Sequence, residues 1–146
     1  MTRSPAARIR VVRRIAADPT STALLLAAPT AFALWPGVRR VGQVAGRQLV
    51  ETDLAPDRAA AATVRALPPR RTPTAYVCRI EWAGPDLPTT TGTLTLGYAG
   101  GSTDAALVLN STDLVGTVLD AGALGEMAEG FLLNLARAAE SRSRAA

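Results

Sequence analysis

The stretch from Asp113 to Ser141 constrains the fold most. Apolar residues recur there at Leu114, Val118, Ala121, Leu124, Ala128, Phe131, Leu132, Leu135 and Ala138. Steps of three and four gather them on one broad face of an amphipathic helix. Glu126, Glu129, Arg137 and Glu140 fall mainly on the other face. No other segment is long enough to serve as the helix that the preceding strands wrap around. Gly116, Gly122, Gly125 and Gly130 interrupt it, each costing about 0.8–1 kcal/mol against Ala in a helix interior. Either they let a sheet or a ligand approach closely, or they mark a weak, kinked first half.

The segments before it read as strands and turns. Arg8 to Ala17 forms a first strand, with Ile9, Val11 and Arg13 on one side and Arg10, Val12 and Arg14 on the other. Asp18-Pro19 opens a short helix as N-cap and first helical residue, and a second helical turn runs through Leu34. Trp35-Pro36-Gly37 breaks it. Strands follow at Val38–Val44 and Arg47–Leu54, joined by a tight turn at Ala45-Gly46, with a weaker candidate at Ala59–Leu67. Pro68 to Pro73 reads as a polar loop. Thr74 to Ala83 alternates most clearly, Tyr76, Cys78, Ile80 and Trp82 opposing Val77, Arg79 and Glu81. Thr89–Tyr98, a turn at Gly100–Asp104 and Ala105–Ser111 complete the set.

Strands followed by a segregated helix define an α+β domain. The expected architecture is a curved antiparallel sheet of about seven strands wrapped around a long C-terminal helix. Two short helices follow the first strand. One domain spans residues 8–141, with residues 1–7 and 142–146 as tails. The even-numbered positions Val44, Val50, Val64, Tyr76, Cys78, Ile80, Trp82, Leu94, Leu96, Tyr98 and Val108 are expected to face the helix.

Composition excludes much chemistry. The chain has 146 residues, no His and a single cysteine, Cys78. A Ser-His-Asp triad, a Cys-His pair, an imidazole ligand and a structural zinc site are therefore impossible within it. All 16 basic residues are Arg, so no lysine Schiff base can form. The net charge of +4 raises the question of nucleic acid. The arginines are dispersed, however, and no aromatics interleave with them as a stacking platform. Arg13-Arg14 before Ala23–Ala28 and Ala31-Phe32-Ala33 suggest a signal peptide. Asp18-Pro19 and Pro29 interrupt that pattern, and the apolar run is too short to span a membrane. A cytoplasmic protein is expected, with no cofactor, no metal, no nucleic-acid partner and no stable membrane insertion; oligomeric state is left open.

Three stretches carry a resemblance. They are Ile15-Ala16-Ala17-Asp18-Pro19 leading into Leu24-Leu25, then Leu34-Trp35-Pro36-Gly37-Val38-Arg39-Arg40-Val41, and last Phe131-Leu132-Leu133-Asn134-Leu135-Ala136-Arg137. In this order, across nearly the whole chain, they resemble the START/polyketide-cyclase (SRPBCC) superfamily, the helix-grip fold. The resemblance implies an elongated apolar cavity between sheet and helix, and binding of a lipid, polyketide, quinone or similar molecule. Some members are aromatases or cyclases, and others act in protein interactions. The absence of His sets this chain apart from the enzyme-like members.

The candidate ligand-binding residues are Trp35, Tyr76, Cys78, Trp82, Leu96, Tyr98, Met127 and Phe131, with Tyr76 or Tyr98 orienting a polar group. No catalytic residue is assigned. The competing reading is that the same residues simply fill a core. Trp35 either caps the cavity mouth or pins the second helix. Cys78 has no base or cation beside it in sequence, which suits a buried small hydrophobe. A cyclase-like or dehydratase-like enzyme, and an interaction module with a filled cavity, are the alternative readings.

Overall fold

Alternation with a period of two, broken by hairpin-length links, makes this chain an antiparallel sheet before it makes a helix. The computed structural model describes residues 6–27, 31–36, 38–44, 47–52, 60–84, 87–113 and 121–145. Eight strands are present among them: β1 Ala6–Ile15, β2 Val38–Val44, β3 Arg47–Thr52, β4 Ala60–Ala66, β5 Arg70–Arg71, β6 Ala75–Gly84, β7 Leu87–Ala99 and β8 Ser102–Asp113. Helix α1 spans Pro19–Ala27, a 3-10 turn spans Ala31–Leu34, and α2 spans Ala121–Ala145. The sheet order is β1-β8-β7-β6-β4-β3-β2, every pairing antiparallel, with β5 added beside β6. This is the α+β helix-grip architecture.

β1 and β2 are the two edges, and α1 with the 3-10 turn carries the chain from one to the other. α1 begins where its capping sequence puts it. Asp18 Oδ1 accepts the backbone N–H of Ser21 at 2.8 Å, and its Oδ2 accepts the Ser21 hydroxyl at 3.0 Å. These bonds satisfy an otherwise orphaned helix donor. They also hold the Asp18 carboxyl below its ordinary pKa, the Ser21 backbone bond being the main cause.

β7 turns into β8 through Gly100 and Gly101, whose φ angles of 57° and 90° make the left-handed pair of a type I′ hairpin. Ala99 pairs with Ser102, so the loop holds two residues and the inward parity switches from even to odd. Leu94 and Leu96 on β7 therefore face inward beside Leu107 and Ala105 on β8. The placing of Val108 with the inward even residues is corrected by this register: Leu107 and Leu109 are buried and Val108 is half-buried. Val44 and Val50 lie outside the described side chains.

Three boundaries also differ. Asp113 closes β8 rather than opening the long helix, and α2 begins, among the described residues, at Ala121. Leu114, Gly116 and Val118 lie outside those residues, as does the Ala45-Gly46 turn. The segment read as a polar loop contains β5, where Arg70 and Arg71 pair with Val77 and Tyr76. Ordered elements also extend past residues 8–141, to Ala6 and Ala145.

The core lies between the sheet's concave face and α2. Leu124, Ala128, Phe131, Leu132 and Leu135 from α2 join Ile80, Leu94, Leu96, Leu107 and Leu109 in one buried cluster. Each large side chain so buried contributes about 1.5–3 kcal/mol. The backbone of α2 runs closest to β1, while residues of β6 share its buried cluster. Glu140 binds the corner after β1, its Oε2 accepting the Ala16 N–H at 3.1 Å.

Candidate functional site

The centre of the grip is an aromatic triad drawn from three elements. Trp35 leaves the 3-10 turn and stacks on Phe131 of α2, ring centroids 4.2 Å apart at 27°. Trp82 from β6 meets Trp35 edge-on, 5.3 Å away at 86°. Both geometries suit ring quadrupoles. Relative exposures of 3%, 1% and 3% for Trp35, Phe131 and Trp82 place all three inside.

Local contacts fix Trp35 in that position. The Asn134 side-chain amide donates to the Leu34 carbonyl at 2.8 Å, tying the end of the 3-10 turn to α2. Pro36 packs against Gly130, where any Cβ would stand 2.4 Å from the proline Cγ. Gly130 is thus a close-approach glycine one residue before Phe131. Trp35 both pins this junction and forms part of the interior wall.

Of the eight candidate residues, Trp35, Cys78, Trp82, Leu96, Met127 and Phe131 share the buried cluster, and Tyr76 packs at its margin. Tyr98 does not join them. It is 46% exposed, near the β7–β8 hairpin and 6.2 Å from the Tyr76 ring. The Tyr76 hydroxyl is 3.1 Å from Thr20 Oγ1 at the start of α1. That bond, followed by one to Tyr98, lowers its pKa. The two tyrosines form a rim at the α1 end rather than polar handles in the centre.

Two buried hydroxyls, those of Thr90 and Ser111, come from residues that sequence reasoning passed over. Trp82 pairs with Thr90 across β6 and β7, and Thr90 pairs with Ser111 across β7 and β8. The hydroxyls of Thr90 and Ser111 lie 3.3 Å apart, fully inside. The Trp82 indole Nε1 is buried with no hydrogen-bond partner, a state that costs about 1–3 kcal/mol. Thr90 shares even parity with Leu94 and was visible on that ground. Ser111 became visible only with the parity switch at Gly100-Gly101.

Among the described residues no charged side chain is buried. Arg65 and Arg79 are exposed on the outer face, and Glu81, half-buried, pairs in register with Arg65. Burial pushes the Cys78 thiol up to about 11, and it donates to the Leu67 carbonyl at 3.3 Å. A thiol so protonated is a poor nucleophile at neutral pH. No group of potential metal ligands occurs among the described residues. Outside the grip, a groove of about 480 Å³ lies between β1 and α2, with Val12, Glu126, Glu129 and Leu133 in its lining. None of its lining among the described residues is aromatic.

This helix-grip geometry is shared with solved structures that include an aromatase/cyclase and a START superfamily protein. The ZhuI aromatase/cyclase from Streptomyces sp. R1128 is 19% identical, with a TM-score of 0.63 over 97% of this chain and 98% of that one. The protein TTHA0849 from Thermus thermophilus is 15% identical, with a TM-score of 0.65 over 94% and 99%. A START superfamily protein from Mycobacterium smegmatis is 12% identical, with a TM-score of 0.57 over 92% and 95%. At these identities the likeness is one of fold. No family model and no curated protein matches the sequence. No helix among the described residues is long and apolar enough to cross a membrane.

Proposed function

We propose that this chain binds a hydrophobic small molecule, a lipid, polyketide, quinone or similar compound, between the concave sheet face and α2. The observation that carries the reading is the interior itself. Three aromatic rings from separate elements meet there, and no charged side chain is buried with them among the described residues. Such surroundings suit an apolar ligand with few hydrogen-bonding groups. The fold's occurrence in an aromatase/cyclase and in a START superfamily protein supports the same class.

Trp35, Cys78, Trp82, Leu96, Met127 and Phe131 bound the ligand, with Tyr76 and Tyr98 at the rim. The protein acts in the cytoplasm, without nucleic acid. A cyclase-like activity is the second reading, favoured by the aromatase/cyclase likeness. The neutral interior weighs toward binding, since general acid–base catalysis needs a titrating group within reach of the substrate.

A thermal-shift panel of lipids, quinones and aromatic polyketides tests the proposal. A true ligand raises the melting temperature of the wild type, and Phe131→Trp, which enlarges the side chain stacked on Trp35, removes that shift. An unchanged melting temperature across the panel would favour an interaction module with a filled core.

A further inference from the structure

The row formed by Trp82, Thr90 and Ser111 carries more than a hydrophobic lining does. These residues lie on neighbouring strands in direct register, all inside the grip. At the usual strand spacing the row spans about 10 Å. Its polar atoms are an indole N–H, which only donates, and two hydroxyls already within 3.3 Å of each other. The one buried side-chain donor without an acceptor among the described residues is Trp82 Nε1. It sits beside a stacked aromatic pair, Trp35 and Phe131.

We infer that the ligand is a neutral aromatic molecule carrying a carbonyl-type acceptor, and that Trp82 Nε1 donates a hydrogen bond to that oxygen. This inference rests on the proposed binding function and adds the ligand's chemical class and its orientation. The acceptor follows from the donor-only indole. Neutrality follows from the absence, among the described residues, of any buried cation to compensate a carboxylate. Aromaticity follows from the flat, rigid rings that border the donor. A carboxylate would enter with its charge unpaired. A pure hydrocarbon would leave the indole N–H as unsatisfied as before.

Three probes of one shape separate these cases: 2-acetylnaphthalene, 2-ethylnaphthalene and 2-naphthoate. Their affinities are measured by calorimetry on wild type and Trp82→Phe. In parallel, the two indole N–H resonances of the wild type, from Trp35 and Trp82, are followed by NMR. The ketone should bind about tenfold more tightly than the ethyl compound, the worth of one buried hydrogen bond, and naphthoate should bind weakest. The Trp82 indole proton should move downfield with the ketone alone. Trp82→Phe should abolish the preference for the ketone over 2-ethylnaphthalene, whatever it does to the affinity of both. If ketone and ethyl compound bind wild type equally, or naphthoate binds best, the inference fails and the hydrophobic-binding reading stands. If no probe binds, the inference fails, and the thermal-shift panel alone decides the hydrophobic-binding reading. The wild-type comparison decides the matter even if Trp82→Phe does not fold.

Discussion

The ring of Pro36 occupies the space that a side chain on Gly130 would need, its Cγ 2.4 Å from the position of a Cβ there. This contact sets the distance between the 3-10 turn and α2, and with it the stacking of Trp35 on Phe131.

Gly130→Ala should therefore destabilise the protein by about 1–3 kcal/mol through overpacking, despite the better helix propensity of Ala. Gly125→Ala is the control. Among the described residues its Cβ would meet only Ile9 Cδ1, at 4.0 Å, and the change should be neutral or stabilising by up to about 1 kcal/mol. Urea unfolding of both variants checks the contrast; equal stabilities would refute the close-approach role of Gly130.

Asn134→Ala removes the donor to the Leu34 carbonyl and should cost about 1 kcal/mol. Because the bond holds the turn that ends at Trp35, the near-ultraviolet circular dichroism of the tryptophans should change as well. A variant with altered stability and an unchanged aromatic spectrum would show that Asn134 does not position Trp35.

Much of this was readable from residues alone, and the failures have physical causes. β6 was legible because its two faces differ: Cys78, Ile80 and Trp82 are buried, while Arg79 is exposed. The stripe from Leu124 to Leu135 was legible because a helix repeats it over three turns. The inward face of β8 was not, since a two-residue turn inverts parity and only register reveals it. β5 owes its two residues to pairing with Tyr76 and Val77, not to any local preference. The row Trp82–Thr90–Ser111 unites residues far apart in sequence, and Thr and Ser give no apolar signal.

Asp18 supplies a pH dependence whose sign is fixed. Its folded pKa lies below the ordinary 3.8, so its contribution is fully present above the unfolded value. It is lost as pH falls through the folded one. Asp18→Ala should cost about 0.5–2 kcal/mol at neutral pH. Asp18→Asn, which keeps a capping oxygen but cannot titrate, should flatten the stability profile below about pH 4. Denaturation curves between neutral and acidic pH measure both. An identical acid limb in wild type and Asp18→Asn would contradict the assignment.

Cys78 titrates in the opposite sense. Its pKa of about 11, against an ordinary 9.0, makes its contribution complete below pH 9 and lost as pH rises toward 11. The native protein should resist a disulfide reagent at pH 8 and react fully in guanidinium chloride. Rapid reaction of the folded protein would mean that the thiol is accessible and that the interior opens there.

The central claim is that a hydrophobic ligand lies inside the grip, and isotope-filtered nuclear Overhauser measurements on a bound ligand test it most directly. At free ligand a hundredfold above the dissociation constant, stabilisation should reach about 2.7 kcal/mol, which gives a complex steady enough for the measurement. The account predicts contacts from the ligand to the ring protons of Trp35, Trp82 and Phe131 and to the methyls of Leu107 and Leu109. Contacts instead to Val12 and Leu133, in the outer groove between β1 and α2, would contradict it.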